Sequence, residues 1–454
     1  MTDDTIFAPA TPLGGALAVI RISGSESHSI IGRIFTGRVR PRMMVHGRIR
    51  RGDLLIDDAM CAIFRAPKSY TGEDMAELYV HGSSAVVDGI MHLLAENGAR
   101  LAEPGEFTKR AFIAGKLDLS QAEAVMDVIN ASTSRALNAA LGQLEGSVGR
   151  DIASVENMLL NALSGLEAAI DYPEELEEDV YSDLPHTLSQ AYSMLSRLYE
   201  NGMRQRILRE GVDVVIAGKP NAGKSSLLNL LTSSDKAIVT PYAGTTRDII
   251  EERANINGIP VLFKDTAGIH ASDDPVERLG IERARLAAER AALVLLAFDG
   301  GAPLDTDDAK RLFDMTEGKK RLAVICKSDL PPMLDADMLC KLSGESRPIK
   351  AVYVSSITGE GLEELKKLIA NELLPEDENP MLTNMRHINA VKEAMDALDA
   401  ISLPDFGGEA ALAADADCIS TDIRNALHSL AKITGRETDE TVTDMIFERF
   451  CVGK

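Results

Sequence analysis

Residues 218–225 read Gly-Lys-Pro-Asn-Ala-Gly-Lys-Ser, a complete GxxxxGK[ST] phosphate loop. Such a loop wraps backbone N–H groups around a phosphate chain, which requires a strand before it and a helix behind it. Both are legible. Val212 to Ala217 is a short apolar run that reads as a buried strand, and Ser226 to Leu231 reads as the first turns of a helix. Asn221, Ala222, Gly223, Lys224, Ser225 and Ser226 are therefore candidate nucleotide contacts. Lys224 brings a compact positive charge to the β and γ phosphates.

The other parts of a GTPase follow in chain order. Asp265-Thr266-Ala267-Gly268 comes after the apolar run Val261 to Phe263. An aspartate there can hold Mg²⁺ through water, and the glycine N–H can bind the terminal phosphate. Between these motifs lies Gly244-Thr245-Thr246-Arg247-Asp248, where Thr246 is the natural second hydroxyl ligand for Mg²⁺ beside Ser225. The strand Ala323 to Ile325 leads into Cys326-Lys327-Ser328-Asp329. Asn-Lys-x-Asp is the usual form, so Cys326 replaces an asparagine. Asp329 can accept two hydrogen bonds from guanine N1 and N2, which adenine does not offer, so the nucleotide is read as GTP. Ser355, Ser356 and Ile357 complete the expected base site with a backbone N–H for the guanine oxygen. The glutamine that orients water in Ras-type enzymes is absent, and Ile269 stands in its place. If hydrolysis occurs, another residue holds the water, within residues 271–282.

The elements that must position these groups can be placed from spacing. Leu137, Leu141, Leu144, Val148 and Ile152 begin a stripe that continues to Ile170 at a mean step near 3.67 residues. It predicts one long helix of roughly 50 Å at ~1.5 Å per residue, ended by Tyr172-Pro173 and an acidic run. A second helix is expected over Leu184 to Arg209, and a further one carries Ile388, Val391, Met395 and Leu398 on one face. In residues 1–118, strands at Ala16 to Ile22, Met60 to Phe64 and Glu77 to Val80 alternate with a helix at Ala85 to Glu96, an α+β pattern. The predicted domains are 1–118, a helical part 119–210, an inserted α/β GTPase domain 211–375, and a second helical part 376–454.

With 454 residues the chain has room for about three domains. No apolar run approaches the ~18 residues of a membrane span, and the first residues lack the basic and apolar regions of a signal peptide. Five cysteines without a CxxC pair fit a reducing compartment. A cytoplasmic location without membrane contact is expected. Net charge is −22, yet residues 1–120 balance acids and bases, while Asp171 to Asp183 holds seven acids and no base. An acidic protein that acts on nucleic acid needs a local neutral or basic face, or a basic partner.

Taken together, these segments resemble the MnmE/TrmE family of tRNA uridine-modification GTPases. The likeness runs through Arg21-Ile-Ser-Gly24, Tyr70-Thr-Gly-Glu-Asp74 with Glu77 and His81-Gly82, Pro104 to Arg110, Gly115 to Leu119, Gln121 to Ala124, and a tail Phe450-Cys-Val-Gly-Lys454 close to Cys-x-Gly-Lys. The resemblance implies a homodimer built on an N-terminal domain similar to folate-binding domains. Arg21, Glu77, Lys116 and Lys454 would line a site for 5-formyltetrahydrofolate or a related tetrahydrofolate, although an ordinary surface ion pair explains any one of them alone. It implies K⁺ beside the phosphates, held by Asn221 and by oxygens of Thr240, Tyr242 and Thr245. Glu277 would position the catalytic water. The implied partner is a MnmG/GidA-type FAD-dependent subunit, and together they would modify C5 of the wobble uridine of certain tRNAs with a carboxymethylaminomethyl-type group. Cys451 is either a thiol in that chemistry or a small apolar anchor for the tail.

Two rival readings carry weight. A ribosome-assembly switch of the Era or Der type shares the phosphate loop and the GTTRD segment, but it normally adds an RNA-binding module or a second GTPase domain, and neither pattern occurs here. A purely structural dimeric GTPase leaves the folate-like blocks unexplained.

Overall fold

A computed structural model describes residues 4–233, 251–265, 288–343, 349–374, 382–401, 415–437 and 439–453; for residues 173–181, 251, 265 and 440 it describes the backbone only. The chain divides into two compact units. The first comprises residues 1–126, 143–191 and 393–454, and the second residues 127–142 and 192–392.

The first unit holds a six-stranded sheet of β1 (Ile6–Pro9), β2 (Leu17–Ser23), β3 (Val45–Arg51), β4 (Leu54–Phe64), β5 (Met75–His81) and β6 (Arg100–Leu101), in the order β3-β4-β5-β2-β1-β6. Only the β1/β6 pair is parallel. Side chains alternate along these strands. Ile20, Ile22, Leu78 and Val80 point to one face and are buried against Ile30, Ile31, Val87 and Ile90 from the helices Ser27–Ile34 and Ser84–Glu96. Burying each such side chain contributes ~1.5–3 kcal/mol, enough to fix which face is covered. Arg21, Glu77 and Tyr79 hold the intervening positions and so face the other way. The helix Ser84–Glu96 starts where Ser83 accepts the Val86 N–H, a side-chain N-cap.

The helical stripe divides differently from its spacing. In place of one long helix there are two, Ser134–Leu144 and Ser147–Asp171. Gly146 sits between them at φ +80°, a left-handed conformation that glycine adopts without steric cost. Leu137 and Leu141 are exposed, so the buried stripe begins only at Val148 and runs through Ile152, Val155, Leu159 and Leu166. That face packs against the helix Ala416–Thr434, and Arg424 binds Glu167 across the pair at 2.5 Å. The acidic run does not separate helices either. A helix spans Pro173–Gln205, opening on a proline, which suits a first helical turn because its missing N–H is not needed there. Acidic residues early in a helix also suit the positive end of its dipole.

The second unit is a sheet of β7 (Val212–Gly218), β8 (Glu251–Ile256), β9 (Ile259–Asp265), β10 (Leu293–Asp299), β11 (Arg321–Cys326) and β12 (Ala351–Val354), ordered β12-β11-β10-β7-β9-β8. Every neighbouring pair is parallel except β8/β9. Both faces are covered. Val214, Ile216, Leu295 and Val324 enter one core, while Val215, Leu296, Ala323 and Ile325 enter the other. This explains the near-continuous apolar runs. The helices Lys224–Ser233 and Leu362–Leu373 contribute Leu227, Leu231, Leu365 and Ile369 to the first core.

Candidate functional site

In the parallel sheet, β7 is the strand at which the order reverses direction, and ligands of such folds sit beyond the carboxyl ends of the strands at that point. The phosphate loop leaves β7 there. Asn221 adopts φ +64° and Gly223 φ +101°, so the chain turns tightly into the helix Lys224–Ser233. A side chain at Gly223 would meet the Cys326 Cβ at 3.0 Å, and one at Gly218 would meet the Ala297 carbonyl oxygen at 2.4 Å. Close approach to backbone therefore requires glycine at 218, and the left-handed backbone requires it at 223. Lys224 Nζ donates to the carbonyls of Gly218 (2.9 Å) and Lys219 (2.7 Å), which keeps its charge over the loop. Ser225 and Ser226 are exposed, and Ala222 is buried beneath. The backbone of Asp265 lies opposite Ile216 at the end of β9.

The base-site motifs converge on the same place. A cleft of roughly 300 Å³ is lined by Gly223, Ser226, Cys326, Lys327, Asp329 and Ile357, among others. Ser355 donates its hydroxyl to Asp329 Oδ1 at 2.6 Å and accepts the N–H groups of Ile357 and Thr358, each at 3.2 Å. One buried hydroxyl therefore fixes both the carboxylate and the loop expected to carry the guanine-oxygen contact. Lys327 takes φ +59° and its Nζ binds Asp299 Oδ2 at 2.6 Å. Cys326 is buried at the end of β11; burial, reinforced by the charge of Asp299, pushes its thiol up to about 12. It packs under Gly223 as an uncharged group. Spacing did not single out Lys219, whose Nζ binds Asp305 (2.7 Å) and Asp308 and so ties the phosphate loop to the helix Thr306–Met315. The signal was a lysine inside the loop and an Asp-x-x-Asp at a helix start.

Thr240, Tyr242, Thr245, Thr246, Thr266, Ala267, Gly268, Glu277 and Lys454 lie outside the described residues, as does the Asp265 side chain.

A second constellation occupies the outward face of the antiparallel sheet. Arg21 on β2 and Glu77 on β5 are register partners, with Arg21 Nε donating to Glu77 Oε1 at 3.1 Å. Tyr79 donates its hydroxyl to Glu77 Oε2 at 2.8 Å; desolvation and then this carboxylate push the phenol up to about 12. The Arg21 guanidinium stands over the rings of Tyr70 and Phe107, at 5.2 and 5.8 Å from their centroids. Tyr70 and Tyr79 also wall a cavity of about 540 Å³ together with Arg42, Met44, Phe64 and Lys68. Lys116 donates to the Pro67 carbonyl at 2.9 Å, beside that wall. Arg42 and Lys68 carry no spacing signal, whereas Tyr79 is readable as the residue two after Glu77 on the same strand face.

The tail comes to this face although 432 residues separate it in sequence. Arg21 Nη1 donates to the Gly453 carbonyl at 3.5 Å. Val452 bridges Pro104, and a Cβ on Gly453 would fall 2.2 Å from the Pro9 carbonyl oxygen. Cys451 is exposed and so is no apolar anchor. That role falls to Phe447 and Phe450, packed with Leu119 and Phe112.

Comparison with known proteins identifies the family. Residues 5–116 match the family model described as the GTP-binding protein TrmE N-terminus, and residues 119–451 match that of the MnmE helical domain. The chain is 39% identical to the tRNA modification GTPase MnmE of Streptococcus thermophilus, over 99% of this chain and 98% of that one. It is 40% identical to the Geobacillus thermodenitrificans protein of the same name, over 99% of each. The crystallised G domain of the T. maritima FeoB iron transporter is 30% identical over 36% of this chain and 98% of that one, with a TM-score of 0.26. The full-length matches include the N-terminal and helical parts and do not favour the ribosome-assembly alternative. The chain therefore belongs to the MnmE family of tRNA modification GTPases.

Proposed function

We propose that this chain binds and hydrolyses GTP and, with an FAD-dependent partner of the MnmG/GidA type, modifies C5 of the wobble uridine of certain tRNAs, drawing a one-carbon unit from a tetrahydrofolate. One observation carries the GTP reading: Asp329, clamped by Ser355, lines the same cleft as Gly223 and Ser226 of the phosphate loop. Asp329 accepts the guanine N1 and N2 donors, and Lys224 meets the β and γ phosphates. The exposed hydroxyl of Ser225 at a helix start and the exposed amide of Asn221 at the loop's turn fit cation ligation. In this reading Ser225 and Thr246 hold Mg²⁺, while Asn221 with oxygens of Thr240, Tyr242 and Thr245 holds K⁺. These cations supply positive charge at the phosphate oxygens where charge grows in the transition state. Glu277 orients the attacking water. Equal GTP turnover in potassium and sodium at matched ionic strength would remove K⁺ from this account.

The tetrahydrofolate reading is supported by the donor set of the second site. Its cavity combines aromatic walls (Phe64, Tyr70, Tyr79) with cations at Arg42 and Lys68, suited to a flat heterocycle and to the carboxylates of a glutamate tail. Glu77 accepts donors of the ring, and Arg21, Lys116 and Lys454 add further positive charge for those carboxylates. The folate supplies the one-carbon unit when bound. A homodimer and a cytoplasmic setting complete the proposal. Nucleoside analysis of tRNA from cells lacking this chain tests it, with loss of the wobble modification as the expected result.

A further inference from the structure

The 26 residues 27–52 contain seven arginines and no acidic residue, in a chain whose net charge is −22. They include β3, which forms one edge of the antiparallel sheet. Ahead of β3 the chain is held in place by Phe35 bridging Ile49 and Pro41 bridging Ile63. Val39 packs on the core between Arg38 and Arg40, and both arginines are exposed. Among the described residues, the side chains of Arg38, Arg40 and Arg65 make no ion pair or hydrogen bond. Arg42 and Arg50 donate only to the carbonyls of Lys68 and Asp53, which leaves their charge uncompensated. Arg48 reaches Asp58 only at 4.0 Å, and Arg51 alone has a close carboxylate, Glu96.

Uncompensated arginines repel one another, and on a protein this acidic they are not explained by solubility. Guanidinium groups are planar forks that bind phosphate through two parallel hydrogen bonds. From this geometry we infer that the arginine edge of residues 33–51 docks the phosphate backbone of RNA, seating a tRNA on the N-terminal sheet. The inference rests on the tRNA-modification reading for the identity of the RNA. An arginine array reads backbone rather than bases, so the contact is independent of sequence.

The test uses the full chain with Arg38→Gln, Arg40→Gln and Arg48→Gln combined, because none of the three lines either cleft. Binding of an unmodified tRNA transcript is followed by fluorescence anisotropy across a salt series. Removing three phosphate contacts should lower the slope of log affinity against log salt by about 2–3 and weaken binding at least about tenfold at 0.1 M salt. The corresponding lysine variant should keep the slope, and GTP turnover without RNA should not change. An unchanged slope, or a wild-type chain that binds no transcript, overturns the inference. So does loss of binding to polyglutamate with tRNA binding intact, which would assign the edge to an acidic protein. A shift in oligomeric state by light scattering would assign it to a second copy. Failure of the tRNA-modification reading appears elsewhere, as an unaltered wobble nucleoside in cells lacking the chain.

Discussion

In the parallel sheet, β10 and β11 bury both faces, and the phosphate loop and its cleft lie beyond the strand ends. In the antiparallel sheet, β2 and β5 bury one face and carry Arg21, Glu77 and Tyr79 on the other. The nucleotide site is thus assembled from turns, where glycine and left-handed residues let backbone groups converge. The second site is assembled from side chains standing on a rigid surface, held at fixed spacing by register. A site of the first kind should fail through its backbone or through the single carboxylate of Asp329, and a site of the second kind through single charge pairs.

Substitutions can break this contrast in order of size. Asp329→Asn should have the largest effect. One of its oxygens becomes a donor facing guanine donors, and the Ser355 clamp is altered; each charged hydrogen bond is worth about 1.5–3 kcal/mol. GTP affinity should fall by about 100-fold while xanthosine triphosphate gains, as titration with both nucleotides would reveal. Equal losses for both would mean that the loop had collapsed. Arg21→Ala should come next, weakening formyl-tetrahydrofolate binding by about tenfold, since it leaves Glu77 without its cation in a half-buried setting. Calorimetry measures this, and GTP turnover assayed in parallel should stay normal if the sites are built independently.

Cys326→Asn is smaller. Restoring an asparagine adds a hydrogen-bonding amide, worth ~1 kcal/mol or about fivefold in GTP affinity. The same side chain lies 3.0 Å from where a Gly223 Cβ would be, so weaker binding would show that the phosphate loop has settled around the sulfur. The smallest expected effect is an absence of reaction. Each sheet carries one buried thiol, Cys61 and Cys326, and burial pushes both up to about 12. Iodoacetamide at pH 8 should label exposed Cys418 and Cys451 and spare these two in the folded chain, read by mass spectrometry. The sign for stability follows. The unfolded thiols ionise from about pH 9 while the folded ones stay protonated, so both thiols favour unfolding progressively as pH rises above that value.

Much of this was legible in the sequence because the signals were local. The phosphate loop announced itself between an apolar run and a helix, and Asp329 followed a buried strand. The first sheet's strands at Ala16, Met60 and Glu77 showed in their β-rich runs. The long-helix expectation failed at Gly146 because a stripe averaging 3.67 residues survives a one-turn break, and only the glycine marked it. Pro173 starts a helix where spacing predicts a stop, since proline suits both ends of a connection. The approach of Gly453 to Arg21 was invisible to spacing. It depends on Phe447 and Phe450 docking beside Leu119, a contact between segments more than 300 residues apart. The cavity walls at Arg42 and Lys68 are hidden for the same reason, since they lie on loops before β3 and after β4 that only the fold brings to Tyr79.

The partly open outward face of the antiparallel sheet has a consequence for evolvability. Midway along β2 and β5, the outward positions Val19, Arg21, Glu77 and Tyr79 are only partly buried and can change without opening the helix-covered core, whereas Ser23 and Met75 at the strand ends are buried, Met75 against Ile6 and Phe107. Along β10 and β11 no such alternate positions exist, because a change on either face opens a cavity. Saturation mutagenesis scored by folding should therefore show tolerance alternating residue by residue over residues 17–22 and 76–81, and uniform intolerance through the buried residues of β10 and β11. New ligand chemistry in this architecture is accessible on the first sheet by side-chain exchange, and on the second only by rebuilding loops.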